Sequence, residues 1–477
     1  MTEKDTIPLC IDLDGTLLRT DSLYESVLEL LKHRPWLVLL LPVWLLGGKR
    51  YLKCQIAERV TPGPGALPYR EQFVEWARAE SRHRPVYLAT AAHILVARPI
   101  AEHLGFFSGV IASEAENLSS SRKARALTER FGEKKFDYAG NSRDDLAVWR
   151  SARFAILVGA SAAVTARAEA IAEVKHRFDL ASAPPLNTLI AWLRALRVYQ
   201  WVKNLPIFLA PLAAHTLLET KTLTSCLAAF LAFSLAASAS YLMNDLLDLP
   251  ADRAHPRKCR RPFAHGRLSV LSGMLAAPCL GGGALIIAWL VNRQFFLVLL
   301  TYLGVTMLYS LWLKRILFID VATLAGLYTI RVVAGGAAAD VVLSFWLLAL
   351  CAYGFLSLAL LKRYSELVLL DENHQSTLGG RAYRRNDTPV VLALGVGAGL
   401  VATVVMALYI ESQTAVKLYA HPEVLWSLVG LMTISIGHLW LVAGRGEMHD
   451  DPIVFIMQDL ASLIIIGLAV LSIVLAI

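Results

Sequence analysis

The chain has 477 residues, of which 56% are hydrophobic and 18% charged, and its formal net charge is +8. A water-soluble enzyme of this length carries more charge and fewer apolar residues, so composition sets a wholly soluble protein aside, and the length accommodates two or three domains. The six cysteines (Cys10, Cys54, Cys226, Cys259, Cys279 and Cys351) form no CxxC pair, which argues against a zinc site or a disulfide framework and fits a reducing compartment or lipid-buried thiols.

The opening residues, MTEKDTIPLCIDLDGT, lack a basic region followed by an apolar stretch and a cleavage site, so no signal peptide is expected there. Up to about residue 185, short apolar strands alternate with charged helical segments. Residues 8–14 (PLCIDLD) form an apolar run ending in two acids, Asp12 and Asp14, followed by Gly15 and Thr16. A strand ending this way places both carboxylates in the loop after it. There one can attack phosphorus while the other protonates the leaving oxygen. The alternative is that both only cap a helix or turn. Residues 35–47 (PWLVLLLPVWLLG) are apolar, interrupted by Pro42, and flanked by Lys32, Arg34, Lys49 and Arg50. They are too short to cross a bilayer comfortably. Two readings stay open: a buried helix of a soluble domain, or a segment lying in the membrane interface.

The strand-DxDGT motif resembles the haloacid dehalogenase-like phosphatases. That resemblance implies an α/β Rossmann-like domain over residues 1–184 with a helical cap at about 20–84. It implies catalytic roles for Asp12 and Asp14. Thr90 in VYLATAAH (86–93) would bind phosphate, and Lys123 in SSRKARAL would neutralise phosphate and nucleophile. YAGNSRDDLAVW (138–149) is similar to the family's last acidic loop, so Mg²⁺ would be held by Asp12, Asp14, Asn141 and Asp145. The family's usual aspartate is Asn141 here. An amide oxygen ligates Mg²⁺ but brings no charge. An active phosphatase and a folded but inactive regulatory or lipid-presenting domain both stay open.

Residues 181–187 (ASAPPLN) read as a linker. Beyond it, nine apolar spans are expected, at 204–219, 224–246, 268–291, 294–313, 317–339, 343–361, 389–411, 422–444 and 453–476. Connections alternate in charge. One set carries Arg253, Arg257, Lys258, Arg260, Arg261 and Arg267, then Lys314 and Arg315, then Lys362, Arg363, Arg381, Arg384 and Arg385, then Arg445; the other carries only Lys221, Arg293 and Lys417. The positive-inside rule puts the basic loops and the N-terminal domain in the cytoplasm and the C-terminus in the periplasm or outside, in a multi-pass protein of the inner membrane.

The most informative stretch is residues 241–269, YLMNDLLDLPADRAHPRKCRRPFAHGRLS, at the mouth of an apolar span. Asp245, Asp248 and Asp252 are spaced i, i+3, i+7, on one face if the helix continues. Clustered carboxylates repel one another unless a cation sits among them, and at a membrane mouth they mark function. A solvated helix end paired with the following arginines is the plainer alternative.

NDLLDLPAD is similar to the NDxxDxxxD signature of the UbiA superfamily of intramembrane prenyltransferases, with residues 185–477 as an all-α bundle of nine transmembrane helices. The resemblance implies that Asn244, Asp245, Asp248 and Asp252 hold diphosphate and Mg²⁺, with Asp245 and Asp248 catalytic. LRALRVYQWVKNLPIF (193–208), HPRKCRRPFAHG (255–266) and LLKRYSEL (360–367) resemble the branch that includes decaprenyl-phosphate phosphoribosyltransferase. The second acidic motif of aromatic prenyltransferases is not evident, because Asp371 is followed four residues later by Gln375. Substrate-binding residues implied by this branch are Gln200, Lys203, Asn204, Asn244, Arg253, Lys258, Arg260, Arg261, Lys362, Arg363 and Glu366. The partners would be the membrane, polyprenyl phosphate and phosphoribosyl pyrophosphate, without nucleic acid, and homo-oligomerisation is left open. The expected activity is phosphoribosyl transfer to the lipid phosphate, followed by removal of the 5-phosphate in the N-terminal domain. A prenyl diphosphate-dependent aromatic prenyltransferase and a non-enzymatic lipid-phosphate carrier are the alternatives. Arg331, inside an apolar span, is expected either to pair internally or to bind ligand; His438 and Gln458 are expected to pack or hydrogen-bond, and Asp459 to lie at a helix end.

Overall fold

The computed structural model describes residues 7–114, 118–178, 185–369, 382–448 and 451–477. Linker residues 181–184, Asp371, Gln375 and Arg381 lie outside the described residues. Contacts divide the chain into two compact units, residues 1–196 with 242–276, and residues 197–241 with 277–477. The sequence boundary at 184/185 therefore does not coincide with the contact boundary, because residues 242–276 cluster with the N-terminal part.

The first unit is built on six strands, β1 (Leu9–Ile11), β2 (Val86–His93), β3 (Gly109–Ser113), β4 (Asp137–Gly140), β5 (Phe154–Val158) and β6 (Glu173–Phe178), all parallel in the order β3-β2-β1-β4-β5-β6. Alternation along β1 feeds two cores. Leu9 and Ile11 enter one cluster with Val86, Leu88, Val96 and Ile100, while Cys10 enters another with Leu127, Phe136, Tyr138 and Trp149. Both faces of the sheet are thus covered, as a parallel sheet requires. Strand order reverses at β1, and ligands of open parallel sheets bind at the carboxyl ends of strands beside such a reversal. Asp12 follows β1 directly.

Between β1 and β2 run helices Ser22–His33, Lys49–Ala57 and Glu71–Glu80. The apolar 35–47 stretch is a 3₁₀ turn, Pro35–Leu40, followed by a short helix, Leu41–Leu46. Trp44 is buried against Val27, Leu30 and Ile56, with Leu37, Val38 and Leu41 partly buried beside it, while Trp36, Leu39, Val43 and Leu46 are 65%, 80%, 59% and 89% exposed. A buried soluble-domain helix does not leave such a face bare, and the outcome favours the interfacial reading. A nitroxide on Leu39→Cys, in a cysteine-depleted chain reconstituted into bilayers, is expected to collide more with oxygen than with a water-soluble nickel chelate. The reverse ratio would mean that this face meets water.

In the second unit the expectation of nine spans is corrected. Among the described residues, seven helices are long and apolar enough to cross a membrane, namely Thr220–Leu247, Val270–Val291, Arg293–Leu311, Ile319–Ala339, Phe345–Val368, Arg385–Ile410 and Pro422–Gly444, some of which begin or end in the first unit. The last expected span is a shorter apolar helix, Leu460–Ala476. The first, at 204–219, is not one helix: a 3₁₀ segment, Val198–Phe208, is followed by Leu209–Ala213. Pro206 and Pro211 each remove a backbone donor and crowd the preceding turn. This irregular segment lies close against helix Ile319–Ala339, since a Cβ at Gly335 would come within 1.8 Å of the Ile207 carbonyl oxygen.

Candidate functional site

In the first unit, a cavity of about 640 Å³ opens at the carboxyl ends of β1 and β4, lined among others by Asp12, Asp14, Lys53, Lys123, Asn141 and Asp145. Lys123 Nζ donates to Asp12 Oδ1 at 2.7 Å and to the Tyr138 hydroxyl at 2.9 Å, and lies 3.8 Å from Asp145 Oδ1. Asp14 Oδ1 accepts from the Ser22 backbone N–H at 2.7 Å, and Arg70 fixes the loop by donating to the Gly15 carbonyl. Gly15 has φ +75°, and a Cβ there would meet the Asn141 amide at 2.0 Å, so only glycine fits. Asp145 is spent on structure: Oδ2 accepts from Asn141 N, Ser142 N and Ser142 Oγ, and Oδ1 accepts from the Tyr138 hydroxyl. Thr90 does not reach the cavity wall, which is formed by Ala91 instead; its hydroxyl accepts from Ala92 N at 3.0 Å.

Burial pushes the Asp12 carboxyl up to about 7 despite the pull of Lys123, with Asp145 and Asp14 adding to the rise. Asp14 is raised to about 6 by burial and then by Asp21. Burial opposes the charge on Lys123, but Asp12 and Asp145 outweigh it and hold the ammonium above its usual value. The site thus has more carboxylates than its one buried lysine offsets, an oxygen-rich deficit that suits a hard divalent cation. Asp12, Asp14 and the Asn141 amide oxygen have the right chemistry. Among the described residues, no three His, Cys, Asp or Glu side chains are gathered as a complete metal cage.

The acidic motif also belongs to the first unit. Helix Thr220–Leu247 ends as Asp248 becomes the N-cap of helix Leu249–Ala254. Asp245 and Asp252, both buried, converge on one guanidinium nitrogen: Arg261 Nη1 lies 3.1 Å from Asp245 Oδ1 and 2.6 Å from Asp252 Oδ2. Asp248 and Asn244 are exposed and half-buried, and neither shares this contact. The point where the two carboxylates meet holds a cation already, in the form of Arg261. Mg²⁺ is usually bound through one or two carboxylates completed by substrate phosphates, so this pair fits it. Arg253 is engaged elsewhere: it grips the buried Glu25 carboxylate in bidentate fashion at 2.7 and 3.0 Å and donates to the Ala66 carbonyl. Lys258 and Arg260 are exposed on a 3₁₀ turn.

In the second unit, Lys203 and Lys362 both donate to Asp451 Oδ2 at 2.8 Å. Asn204 donates to Ser234 Oγ at 3.0 Å and accepts from Arg331 Nε at 2.8 Å; Arg331 also reaches the Tyr302 hydroxyl and the Leu327 carbonyl. Arg331 is therefore internally paired, one of its two expected roles. Gln200 donates to the Tyr199 hydroxyl. His438 pairs with Asp459, which caps the last helix, as their positions implied.

Arg363 is fully buried and bonded to Asp320 at 2.6 Å, to Tyr309 at 3.2 Å and to Glu366, while Tyr383 donates to the other Asp320 oxygen. Arg363→Met is expected to cost roughly 3–5 kcal/mol, because it strands the buried Asp320 charge. Thermal unfolding in detergent should show the loss, and adding Asp320→Asn should recover part of it. A purely substrate-binding Arg363 would give instead an unchanged melting temperature with a raised KM.

Sequence reasoning missed Asp320, Asp451, Glu25, Lys53 and Tyr138. Asp320 at the start of an apolar span was the readable signal; Asp451 stood in the acidic HDDP run before the last helices.

The seven apolar helices, with ionised groups paired in their midst, define an integral membrane protein. Residues 204–474 match the UbiA prenyltransferase family, and the chain belongs to it. It is 39% identical over 469 residues to protein y4nM of Sinorhizobium fredii, covering 96% of this chain and 88% of that one, so that alignment takes in the sheet-bearing region too. It is 36% identical over 236 residues to decaprenyl-phosphate phosphoribosyltransferase of Mycobacterium tuberculosis, covering 46% of this chain and 78% of that protein. Nodulation protein NoeC of Azorhizobium caulinodans is 31% identical over 287 residues, covering 59% and 91%.

Proposed function

We propose that the protein transfers 5-phosphoribose from phosphoribosyl pyrophosphate to a polyprenyl phosphate at the cytoplasmic face of the inner membrane, and then removes the 5-phosphate in its N-terminal domain. The similarity to decaprenyl-phosphate phosphoribosyltransferase over 236 residues carries the transfer half of this reading, and the cavity of Asp12, Asp14 and Lys123 supports the hydrolytic half. In the transfer, the bond from ribose C1 to the diphosphate oxygen breaks, and a bond forms from C1 to an oxygen of the lipid phosphate. That oxygen is already anionic, so no strong base is needed, and positioning with charge stabilisation supplies the rate. Mg²⁺, held by Asp245 and Asp252 for transfer and by Asp12 and Asn141 for hydrolysis, would supply charge neutralisation at phosphate oxygens, leaving the Asp14 carboxyl free to carry a proton. Lys203 and Lys362 share one counter-carboxylate, Asp451, and so retain net positive charge for a phosphate.

In the second step, Asp12 attacks phosphorus, the bond to the C5 oxygen breaks, and Asp14 gives that oxygen its proton. Water then releases phosphate from Asp12. The raised Asp14 carboxyl, at about 6, suits a proton donor working near neutrality. Lys123 keeps Asp12 oriented and offsets phosphoryl charge.

The test is incubation of the full-length protein in lipid nanodiscs with polyprenyl phosphate, Mg²⁺, and phosphoribosyl pyrophosphate carrying ¹⁴C in ribose and ³²P in the 5-phosphate. The expected products are ¹⁴C-labelled lipid and free ³²P phosphate. No ¹⁴C in lipid sinks the transferase reading, whereas lipid that keeps its ³²P sinks the phosphatase step.

A further inference from the structure

The N-terminal cavity has a wall that the sequence places in the transferase-like region. Phe263, Gly266, Arg267, Leu268 and Val270 line it together with Asp12, Asp14 and Lys123, all within the first compact unit. This wall is anchored. Phe263, Leu268 and Val270 are buried, Phe263 meets Trp192 edge to face, and Met274 packs on the cluster of Val27, Leu30, Trp44 and Ile56. The bidentate Arg253–Glu25 pair ties the preceding turn to helix Ser22–His33.

The volume, about 640 Å³, far exceeds what a phosphate group needs and suits a ligand of drug size. Charge is arranged at two places. One is Lys123 at Asp12; the other is Arg19 and Arg267, both exposed, with Arg19 Cδ 3.9 Å from a Cβ built on Gly266, while Lys53 and Arg253, which also line the cavity, are bonded to the Ala91 carbonyl and to Glu25, and Asp144 is exposed at its edge. Asp21 also lines the cavity, but it caps helix Ser22–His33 through Leu23 N. Arg70, half-buried, is lowered to about 10 by burial and then by the charge of Arg19, a further sign that cations crowd this rim.

We infer that residues 263–271 complete the ligand site of the N-terminal domain, and that Arg267, with Arg19, binds a second anionic group on a ligand whose phosphomonoester lies at Asp12. A sugar bearing a 5-phosphate at one end and a phosphodiester to a lipid at the other has this pattern of charge. The inference rests on the proposed function for the identity of that ligand. It makes Arg267 a specificity-determining residue for the hydrolytic step.

The test compares two probes on the full-length protein: ribose 5-phosphate, and a farnesyl phosphodiester of ribose 5-phosphate. Phosphate release is measured, and binding is measured in parallel by calorimetry on the Asp12→Asn chain. Arg267→Gln is expected to weaken binding and raise KM for the diester about 10-fold, the loss of one charge-assisted contact, with ribose 5-phosphate unchanged. Arg267→Lys should restore part of the difference. Equal effects on both probes, no effect on either, or no binding of the diester overturns the inference. Arg267-dependent binding of the diester without phosphate release from either probe upholds it and overturns the phosphatase reading alone. Arg267 is exposed, so neither replacement disturbs the core.

Discussion

Asp12→Asn is expected to stop the protein at the phosphorylated lipid: ribose appears on the polyprenyl phosphate at the wild-type rate, and the 5-phosphate stays on it. The argument begins at the end of β1. Asp12 is 7% exposed, held by Lys123 at 2.7 Å, and it faces the cavity with Asp14. A carboxylate can form the phosphoryl-enzyme bond and an amide cannot, so the hydrolytic step should lose at least about 10³-fold. In the proposed scheme the transfer step uses none of these groups. Asparagine is isosteric and still accepts from Lys123, so the loop should keep its shape and the burial cost of an excess carboxylate falls. Thermal stability should therefore hold or rise while phosphate release vanishes. Asp14→Asn should cost roughly 10²–10⁴-fold, the usual range for a lost proton donor. A variant that yields the same final product as wild type would make the domain regulatory instead. Two features lend that outcome weight: Asn141 brings no charge, and all the hydrogen bonds of Asp145 are local.

What could be read in the sequence, and what could not, follows from the range of each interaction. That Asp12 and Asp14 follow a strand end was legible because strand ends follow from local apolar runs, and Lys123, expected only through the resemblance, meets Asp12 in the same cavity. The short apolar strands expected before residue 185 appear, among the described residues, as a six-stranded parallel sheet. Helix spans were legible from hydropathy, except where Pro206 and Pro211 break the hydrogen-bond ladder without lowering apolarity, and where Asp459 caps the last helix and leaves it shorter than expected. Ion pairs were not. Lys203 meets Asp451 across 248 residues, and Arg253 meets Glu25 across 228. Such pairs are set by tertiary packing. A single sequence shows Arg253 only as one member of a basic run, and shows Glu25 only as a charge on an amphipathic helix. The partners of Arg363 were hidden on the same ground: a basic residue at the end of a span reads as substrate-binding, and its enclosure by Asp320, Tyr309 and Glu366 comes from tertiary packing. The expectation that Asp245, Asp248 and Asp252 act as one face was also only partly visible in advance. The helix stops at Leu247, so Asp245 and Asp252 stay together while Asp248 turns outward as an N-cap.

The other large effect is expected at that pair. Asp245→Asn should lower transfer by roughly 10³-fold, equivalent to about 4 kcal/mol of lost stabilisation of the departing diphosphate. Its two oxygens lie in a buried place where Asp252 supplies the second carboxylate and Arg261 the resident positive charge. The same geometry says why the fold should survive. Arg261 keeps its shorter contact, 2.6 Å to Asp252, and asparagine still offers an oxygen at the longer one. A divalent cation held by the two carboxylates would take the place that Arg261 occupies between them, and the guanidinium would then be free to meet phosphate oxygens. Two opposite responses to Mg²⁺ follow. Asp245→Asn should need far more Mg²⁺ for half-maximal transfer, since one of two charges that draw the ion is gone. Arg261→Gln should need less, because its competitor is gone, yet should turn over more slowly for want of the freed guanidinium. Titrating transfer rate against Mg²⁺ for the three chains separates these effects. A wild-type Mg²⁺ requirement in Asp245→Asn would mean that the pair is a structural salt bridge closing a helix end, with the diphosphate held elsewhere.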